Sequence, residues 1–354
     1  MTDKKKLLSK PIEHIDITKI DARPMVKAMS NMAFSARDMA RAAEIYEMML
    51  RDRDCAVILC LAGSLISAGL KKVITDMLRH NMVDAIVSTG ANIVDQDFFE
   101  ALGFRHYVAP ELYKAGLHDG ELRDLHIDRI YDTFIDEDDL RVCDETCCKI
   151  AERLENRPYS SREFVYEMGR YAKENGAGVD SIVQTAFEKQ VPIFCPAFND
   201  CSAGLGLVEY IRSRMGAARM TIDSMQDFYE ITQIKIKNPV TGLFMIGGGV
   251  PKNFTQDIVV AADILGANPE MHKYAIQITI ADVRDGALSS STLKEASSWG
   301  KVDTAYEQMV FSEATIAFPI ITSAAYHSKA WEGRPERKFC TMLDEAMSPA
   351  GAGV

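Results

Sequence analysis

The sequence predicts an α/β protein with a doubly wound, mostly parallel sheet, a variant dinucleotide-binding topology and extra helices. Apolar runs of strand length alternate with segments of helical periodicity, as expected when helices cover both faces of a parallel sheet. The runs contain few polar residues, which is typical of strands buried on both faces. Small or polar residues follow several runs, where parallel strands end at one edge of a sheet and ligands bind.

The individual elements follow from hydrophobic periodicity. Apolar runs predict strands at 55–61, 84–88, 191–198, 242–246, 274–280 and 308–311. Helical patterns occupy 38–52, 65–80, 97–102 and 221–235. The charged middle segment, 119–190, is expected to be mostly helical.

The chain of 354 residues shows no linker rich in proline, glycine or serine that would divide it. We therefore expect a lead-in at residues 1–35, one large domain at 36–335 and a C-terminal tail at 336–354.

The composition is that of an ordinary globular protein, with 47% hydrophobic and 26% charged residues. The formal net charge of −11 argues against a general nucleic-acid binder, which would present a basic field. No signal peptide is evident at the start, and the longest apolar runs, 56–63 and 314–325, are too short to span a bilayer. A cytoplasmic protein is expected, without nucleic-acid or membrane partners.

Eight cysteines are then expected to be thiols, because disulfides are rare in a reducing compartment. Cys143, Cys147 and Cys148 form a cluster, but their spacing fits no standard zinc pattern and no second ligand pair follows. Helical thiols are the favoured interpretation, and no metal site is predicted.

Four predicted strand ends carry small or polar residues and should meet at one sheet edge. They are Gly63-Ser64, Thr89-Gly90-Ala91, Asn199-Asp200 and Gly247-Gly248-Gly249. Glycines let the backbone approach a pyrophosphate, and helix starts offer free N–H groups. Asp95 and Asp200 could hold ribose hydroxyls, although turn or cap chemistry explains them equally well.

The stretch from Glu295 to Lys301 places a lysine beside Trp299, with a carboxylate six residues before it. A lysine that forms an imine must be neutral to attack, so it needs apolar or cationic surroundings. Trp299 could supply an apolar wall and Glu295 could bind an amine. From residue type alone, a solvated lysine and a core tryptophan are the more common interpretation.

These residues carry a family resemblance. Ser298-Trp299-Gly300-Lys301, preceded by Glu295-Ala296, resembles the active-site motif of deoxyhypusine synthases. The run Gly247 to Lys252 is similar to the glycine run of that family. Further similarity in 65–69, 80–84, 196–202 and 318–319 extends the resemblance over roughly residues 40 to 325.

The resemblance implies an NAD-dependent transfer of an aminobutyl group. In such enzymes NAD takes a hydride from spermidine, and the active-site lysine captures the resulting imine, releasing 1,3-diaminopropane. An acceptor amine then displaces the lysine and retained NADH reduces the new imine. The acceptor is either a protein lysine, on a translation factor, or a small diamine. Family members are similar homotetramers with sites shared between subunits.

The resemblance also implies roles for individual residues. Lys301 occupies the imine position. Cofactor positions fall on Gly63, Ser64, Leu65, Ile66, Ser67, Thr89, Gly90, Ala91, Asp95, Asp200, Gly248, Ile280, Ala281, Glu313 and Ala314. Substrate positions fall on Gly286, Glu295, Trp299 and Asn253.

Three departures concern the substrate. Asn253 stands where the protein-modifying enzymes have a histidine that carries protons, and Leu205 and Leu288 stand at two acidic positions. The chain therefore resembles a divergent deoxyhypusine synthase-like branch related to homospermidine synthases, which use putrescine as acceptor. Homospermidine synthesis, an NAD-dependent amine dehydrogenase and a non-catalytic NAD-binding protein remain alternatives. Fewer acids in the pocket favour a shorter or singly anchored amine.

Overall fold

The computed structural model describes residues 3–109, 116–286 and 291–347. Its strands, in chain order, are β1 (Ala56–Leu61), β2 (Ala85–Ser88), β3 (Tyr107–Val108), β4 (Ile127–Ile130), β5 (Thr133–Asp136), β6 (Pro158–Tyr159), β7 (Ile193–Phe194), β8 (Thr221–Ile222), β9 (Thr241–Ile246), β10 (His272–Thr279) and β11 (Val302–Phe311).

Helices fill most of the connections between the strands. They are α1 (Lys4–Leu7), α2 (Arg23–Met29), α3 (Ser35–Arg51), α4 (Lys71–Arg79), a π-helix (Ala91–Phe98), α5 (Phe99–Ala101), α6 (Asp119–Asp124), α7 (Glu137–Arg153), α8 (Ser161–Asn175), α9 (Ile182–Lys189), α10 (Ser202–Ser213), α11 (Ser224–Lys237), α12 (Gly249–Gln256), α13 (Ile258–Ile264), α14 (Leu293–Ser298), α15 (Ala314–His327) and α16 (Phe339–Met347).

Six strands form one parallel sheet in the order β7-β2-β1-β9-β10-β11. The chain starts at β1, moves outward through β2 to β7, and returns to β9 on the other side of β1. In chain sequence this is the order 3-2-1-4-5-6 of doubly wound dinucleotide-binding folds, with the switch point between β1 and β9. The predicted fold class is confirmed, and its variation lies in the long connection from β2 to β7.

The central strands are apolar because both faces of the sheet are covered. Every residue of β1 and β9 is buried. Successive side chains point to opposite faces, so Val57 and Leu59 join one core while Ile58 and Cys60 join the other. The two cores hold the sheet edge, where the ends of β1 and β9 meet, in a fixed position.

Some predicted elements were wrong in extent. The predicted helix 65–80 begins only at Lys71, because the backbone N–H groups of 65–67 donate to the buried side chains of Asn92 and Gln96 instead of starting a helix. The predicted strand 191–198 shortens to two residues, while the strand predicted at 308–311 begins at Val302.

The middle segment is mostly helical, as predicted, but two of its strands, β4 and β5, join β3 in an antiparallel sheet that was missed. Its order is β3-β5-β4. These strands are only two to four residues long, so they leave little hydrophobic alternation in the sequence.

Both terminal segments contribute to the packed body. Ile17 and Ala22 of the lead-in join one core, and Phe339 and Leu343 of α16 join the other. Packing thus extends beyond residue 335, whereas residues 348–354 of the predicted tail lie outside the described residues. Among the described helices, none combines the length and apolar character needed to cross a membrane.

Candidate functional site

A cleft of about 820 Å³ opens at the carboxyl ends of the central strands. Its walls are the turns that follow β1, β9, β10 and β11, together with the β4–β5 turn and the segment around Ile12. The volume falls within the range typical of small-molecule sites. The cleft lies at the topological switch point, where this type of sheet binds its ligands.

Eight of the predicted cofactor residues line this cleft. They are Gly63, Ser64, Leu65, Ser67, Ile280, Ala281, Glu313 and Ala314. They come from the ends of three strands that are far apart in sequence, and the parallel register brings them together. Ile66, although next to two lining residues, is fully buried beneath them.

Two glycines shape the floor of the cleft. Gly63 has φ +86°, and a Cβ placed on it would meet no heavy atom within 4 Å, so its backbone is open to a ligand. Gly247 has φ +71°, and its Cβ would lie 3.2 Å from the Cβ of Ala62. Such backbone angles favour glycine. The turns therefore leave room for a group that approaches the backbone closely.

Gly248 is the N-cap of α12 and, being glycine, supplies no side-chain cap to this helix start. A helix N-terminus without a side-chain cap has N–H groups and a dipole that favour an anion. Gly248 is itself buried and lies next to Gly247 at the cleft floor.

The remaining predicted cofactor residues form a neighbouring group after β2, outside the cleft wall. Thr89 donates its N–H to Leu61 at the end of β1, and Gly90 is so close to Cys201 that a Cβ would lie 2.5 Å from its Sγ. Ala91 starts the π-helix. These positions continue the same sheet edge.

The two predicted ribose-binding aspartates differ. Asp95 accepts a hydrogen bond from the N–H of Ser202 at 2.6 Å, so it has a cap role at the start of α10. Burial raises the pKa of the Asp95 carboxyl to about 6. Asp200 is exposed in the turn just before that helix.

Lys301 lies in a different layer of the molecule. Its side chain is only 12% exposed, and its Nζ lies 2.5 Å from Oδ1 of Asp257. The same Nζ lies 5.3 Å from the centroid of the Trp299 ring, within cation–π range. The indole is therefore a wall of the lysine site, but Trp299 is 71% exposed and does not enclose it.

Of the predicted substrate residues, Asn253 and Glu295 are hydrogen-bonded to other side chains, whereas Gly286 is exposed. Asn253 donates from Nδ2 to the second oxygen of Asp257 at 3.0 Å. Glu295 forms a capping box with Thr292, whose N–H and hydroxyl both donate to its carboxylate. Gly286 is exposed after β10, Leu205 is 63% exposed on α10, and Leu288 lies outside the described residues.

A second lysine is more deeply buried than Lys301. Lys252 of α12 is 2% exposed, and its ammonium donates to the carbonyl of Ser291 just before α14. Burial lowers the pKa of Lys252 to about 8.

The structure brings the cofactor residues together, and separately Lys301 with Trp299 and Asn253, but it does not join the two groups within one chain. The backbone N–H of His272 donates to the carbonyl of Lys301, which places Lys301 level with the start of β10. The cleft lies beyond Thr279 at the other end of that strand. At about 3.3 Å per residue, the two ends are roughly 23 Å apart.

Two residues escaped prediction. Asp257 ends α12, and only its contact with Lys301 distinguishes it from any other aspartate near a helix start. Tyr131 is 82% exposed at the β4–β5 turn with φ +51°, and it lines the cleft. A non-glycine residue at positive φ is uncommon, but no pattern in the sequence indicates the short hairpin that carries it.

Comparison with known proteins connects these features to a family. The family described as "Deoxyhypusine synthase" matches residues 24–325. A "Deoxyhypusine synthase-like protein" of Chlorobaculum parvum is 64% identical over 338 residues, covering 95% of each chain. One of Coxiella burnetii is 58% identical, covering 96% of each. The "Probable deoxyhypusine synthase 2" of Methanosarcina mazei is 40% identical, covering 89% of this chain and 90% of its own.

A solved structure supports the fold. The crystal structure of an Entamoeba histolytica protein described as a deoxyhypusine synthase aligns with a TM-score of 0.56 at 18% identity, covering 89% of this chain and 97% of its own. At that identity the likeness bears on the fold alone.

Proposed function

The chain belongs to the deoxyhypusine synthase family, a family of transferases, and we propose that it moves a 4-aminobutyl group from spermidine or a related amine to an amine acceptor with NAD as cofactor. The observation that carries this proposal is the combination of a cleft at the switch point with a shielded lysine beside Trp299. The family match supports aminobutyl transfer, and the two sites supply places for the cofactor and the lysine.

We assign NAD to the cleft. The open backbone at Gly63 and the uncapped start of α12 at Gly248 suit a pyrophosphate. Glu313, at the mouth, could accept from a ribose hydroxyl, although it already accepts from the N–H of Thr315. When bound, NAD would supply the hydride acceptor. The residues of the chain bind it, orient it and limit the access of water.

Lys301 is assigned the capture of the oxidised donor. Its amine adds to the imine carbon, the bond to the departing amine breaks, and the aminobutyl group remains on Nζ as an imine. Trp299 covers one side of this amine. An acceptor amine then takes over the imine carbon and frees the lysine, and hydride returned from the reduced cofactor would convert the acceptor's imine to the product amine.

The separation of the two groups implies an assembled site. A reaction between donor, cofactor and lysine needs contacts of about 3–3.5 Å, which one chain does not provide across its sheet. In a symmetric assembly, the cleft of one copy can face Lys301 of another. The exposed apolar side chains of Ile280, at 79%, and Trp299, at 71%, lie at the two surfaces that would meet. This supports a homotetramer or another closed assembly of copies.

The acceptor is either a small diamine or a protein lysine. One feature favours the diamine. Asn253 stands at the position of the histidine of protein-modifying enzymes, and its side-chain amide donates a hydrogen bond to Asp257. The test is incubation with NAD and spermidine labelled in its aminobutyl part, with and without putrescine, followed by product analysis. Labelled homospermidine is the expected product.

Control variants make the test specific. Lys301→Arg keeps the charge but cannot form an imine, so transfer should disappear. Lys294→Arg, exposed on α14 shortly before Lys301, should transfer at the wild-type rate. Release of NADH without any transfer would instead indicate a dehydrogenase, and NAD binding without turnover of any polyamine would indicate a non-catalytic protein.

A further inference from the structure

The carboxylate of Asp257 is in direct contact with the amine assigned to the chemistry. Oδ1 lies 2.5 Å from Nζ of Lys301, and Oδ2 accepts from Nδ2 of Asn253 at 3.0 Å. Asp257 is the N-cap residue of α13 but makes no side-chain capping bond there. Its two oxygens are therefore directed to the lysine and the asparagine rather than to the helix end.

The neighbouring charged groups are otherwise engaged. Lys252 on α12 donates to the carbonyl of Ser291, and Glu295 on α14 accepts from Thr292. His272 of β10 is buried between Thr241 and the carbonyl of Thr255. Burial keeps the pKa of His272 well below its usual range, so this imidazole is neutral near pH 7. Among these groups, Asp257 is the one in contact with the amine of Lys301.

The contact between Asp257 and Lys301 suggests that Asp257 takes part in proton transfer. Lys301 forms an ion pair with Asp257, but only a neutral amine can attack an imine carbon. The proton must leave before the bond forms. A carboxylate at hydrogen-bond distance is placed to take it.

We propose that Asp257 carries one proton from Lys301 to the departing amine during imine exchange, and that Asn253 is a positioning residue that holds its carboxylate in place. This inference rests on the proposed function. First, Nζ gives a proton to Oδ1, and its freed electron pair forms a bond to the donor's imine carbon. A proton then passes from Nζ to the donor nitrogen, and the bond from that nitrogen to carbon breaks. The released amine takes the proton from Asp257, so the protons and charges balance without any oxidant.

If Asp257 is only an ion-pair partner of Lys301, its removal should change the reaction rate in the opposite direction. If the ion pair only keeps Lys301 charged in the resting protein, removing the carboxylate would free the amine and speed its reaction. If Asp257 is the proton carrier, removing it slows the reaction where bulk hydroxide is scarce. The sign of the effect of Asp257→Asn near pH 7 therefore decides between the two roles.

The experiment uses butanal and cyanoborohydride with the full-length protein, without NAD or polyamine. The aldehyde reports imine formation at Lys301 by peptide mass spectrometry and bypasses hydride transfer. Asp257→Asn is isosteric and should label Lys301 at least about tenfold more slowly at pH 7, with the deficit shrinking as the pH approaches 10. Asn253→Ala should show a smaller deficit with a similar pH dependence. Asp263→Asn, exposed on α13, should match the wild type.

The outcomes separate the two hypotheses. An Asp257→Asn rate at pH 7 equal to or above the wild-type rate would overturn the proton-carrier role while leaving the assignment of Lys301 intact. Failure of the wild type to label Lys301 would overturn that assignment and this inference together. Thermal melting of each variant, compared with the wild type, shows that a loss of labelling does not come from unfolding.

Discussion

The carboxyl edge of the sheet and the helical layer around Lys301 are built on different principles. At the sheet edge, backbone turns after β1, β9, β10 and β11 converge because parallel strands end together. Around Lys301, side chains from α12, the start of α13 and α14 converge through an ion pair and a ring contact. The first site depends on register and glycine, and the second depends on helix packing.

The difference shows how complete each site is in one chain. The cleft is a formed cavity with a defined floor, whereas Trp299 and the amine of Lys301 form a wall with an open side. We infer that the first is a binding site in each copy and that the second is finished only when another surface covers it.

The largest expected effect tests whether the two regions act in different copies. Lys301→Arg lacks the amine, and Ala281→Trp fills the cleft, so each variant alone should lose transfer by a factor of roughly a thousand or more. Co-expressed with different tags and purified as mixed assemblies, they should regain up to about half of the wild-type activity, because a symmetric pair then keeps one intact site. Each variant co-expressed with itself is the control, and an inactive mixture would contradict sharing.

The next effect tests the cleft itself. Ala281 is half-buried in its wall, so Ala281→Trp should weaken NAD binding by about a hundredfold or more through steric exclusion. Calorimetric titration of NAD into the purified protein measures this effect. Ala217→Trp, at an exposed position away from the cleft, should bind as the wild type does. Unchanged binding in a folded Ala281→Trp variant would exclude this cleft.

A smaller effect concerns the hairpin that forms the far wall of the cleft. Arg129 donates to the carbonyl of Tyr131 at 3.0 Å, and Ala109 donates to that of Asp132 at 2.8 Å. These two hydrogen bonds hold the turn in place. The Tyr131 ring stays exposed and offers a surface on which a planar ring could stack. Tyr131→Ala should weaken NAD binding roughly tenfold. Tyr229→Ala, a half-exposed tyrosine on α11, should have no effect, and equal affinities for both variants would count against stacking.

The smallest effect concerns Lys252, on the helix that connects the two regions. Its folded-state pKa, about 8, lies below the reference value of 10.5, so burial of the ammonium costs stability. That cost is fully present below pH 8 and disappears as the pH rises through 10.5. Lys252→Met should therefore raise the free energy of unfolding by about 1–2 kcal/mol at pH 7.

Denaturant unfolding at pH 7 and pH 10 measures the Lys252 effect, and the gain should shrink at the higher pH. The variant also loses the hydrogen bond to the Ser291 carbonyl, and this loss lowers the free energy of unfolding at both pH values. Lys237→Met, exposed at the end of α11, is the control for removing a lysine charge. A gain that is equal at both pH values would show that ammonium burial is not its cause.

Apolar runs in the sequence predicted the central strands and the character of the sheet edge. Runs such as 55–61 and 242–246 are apolar along their whole length, and only a strand covered on both faces explains this. Gly63 follows the first run after one residue and Gly247 follows the second directly, so their place at one edge follows from parallel pairing. The motif around Lys301 indicated the family, and the family comparisons confirmed it.

Which residues meet became visible only in the folded chain. Asp257 and Lys301 are far apart in sequence, and their contact depends on how α12 and α13 pack beside α14. Glu295 carries an expected substrate role, but the fold also engages it at a helix start, because a threonine three residues earlier completes a capping box. Lys301 lies level with the start of β10 and the cleft lies beyond its end, and strand length and packing are properties of the folded sheet rather than of any local motif.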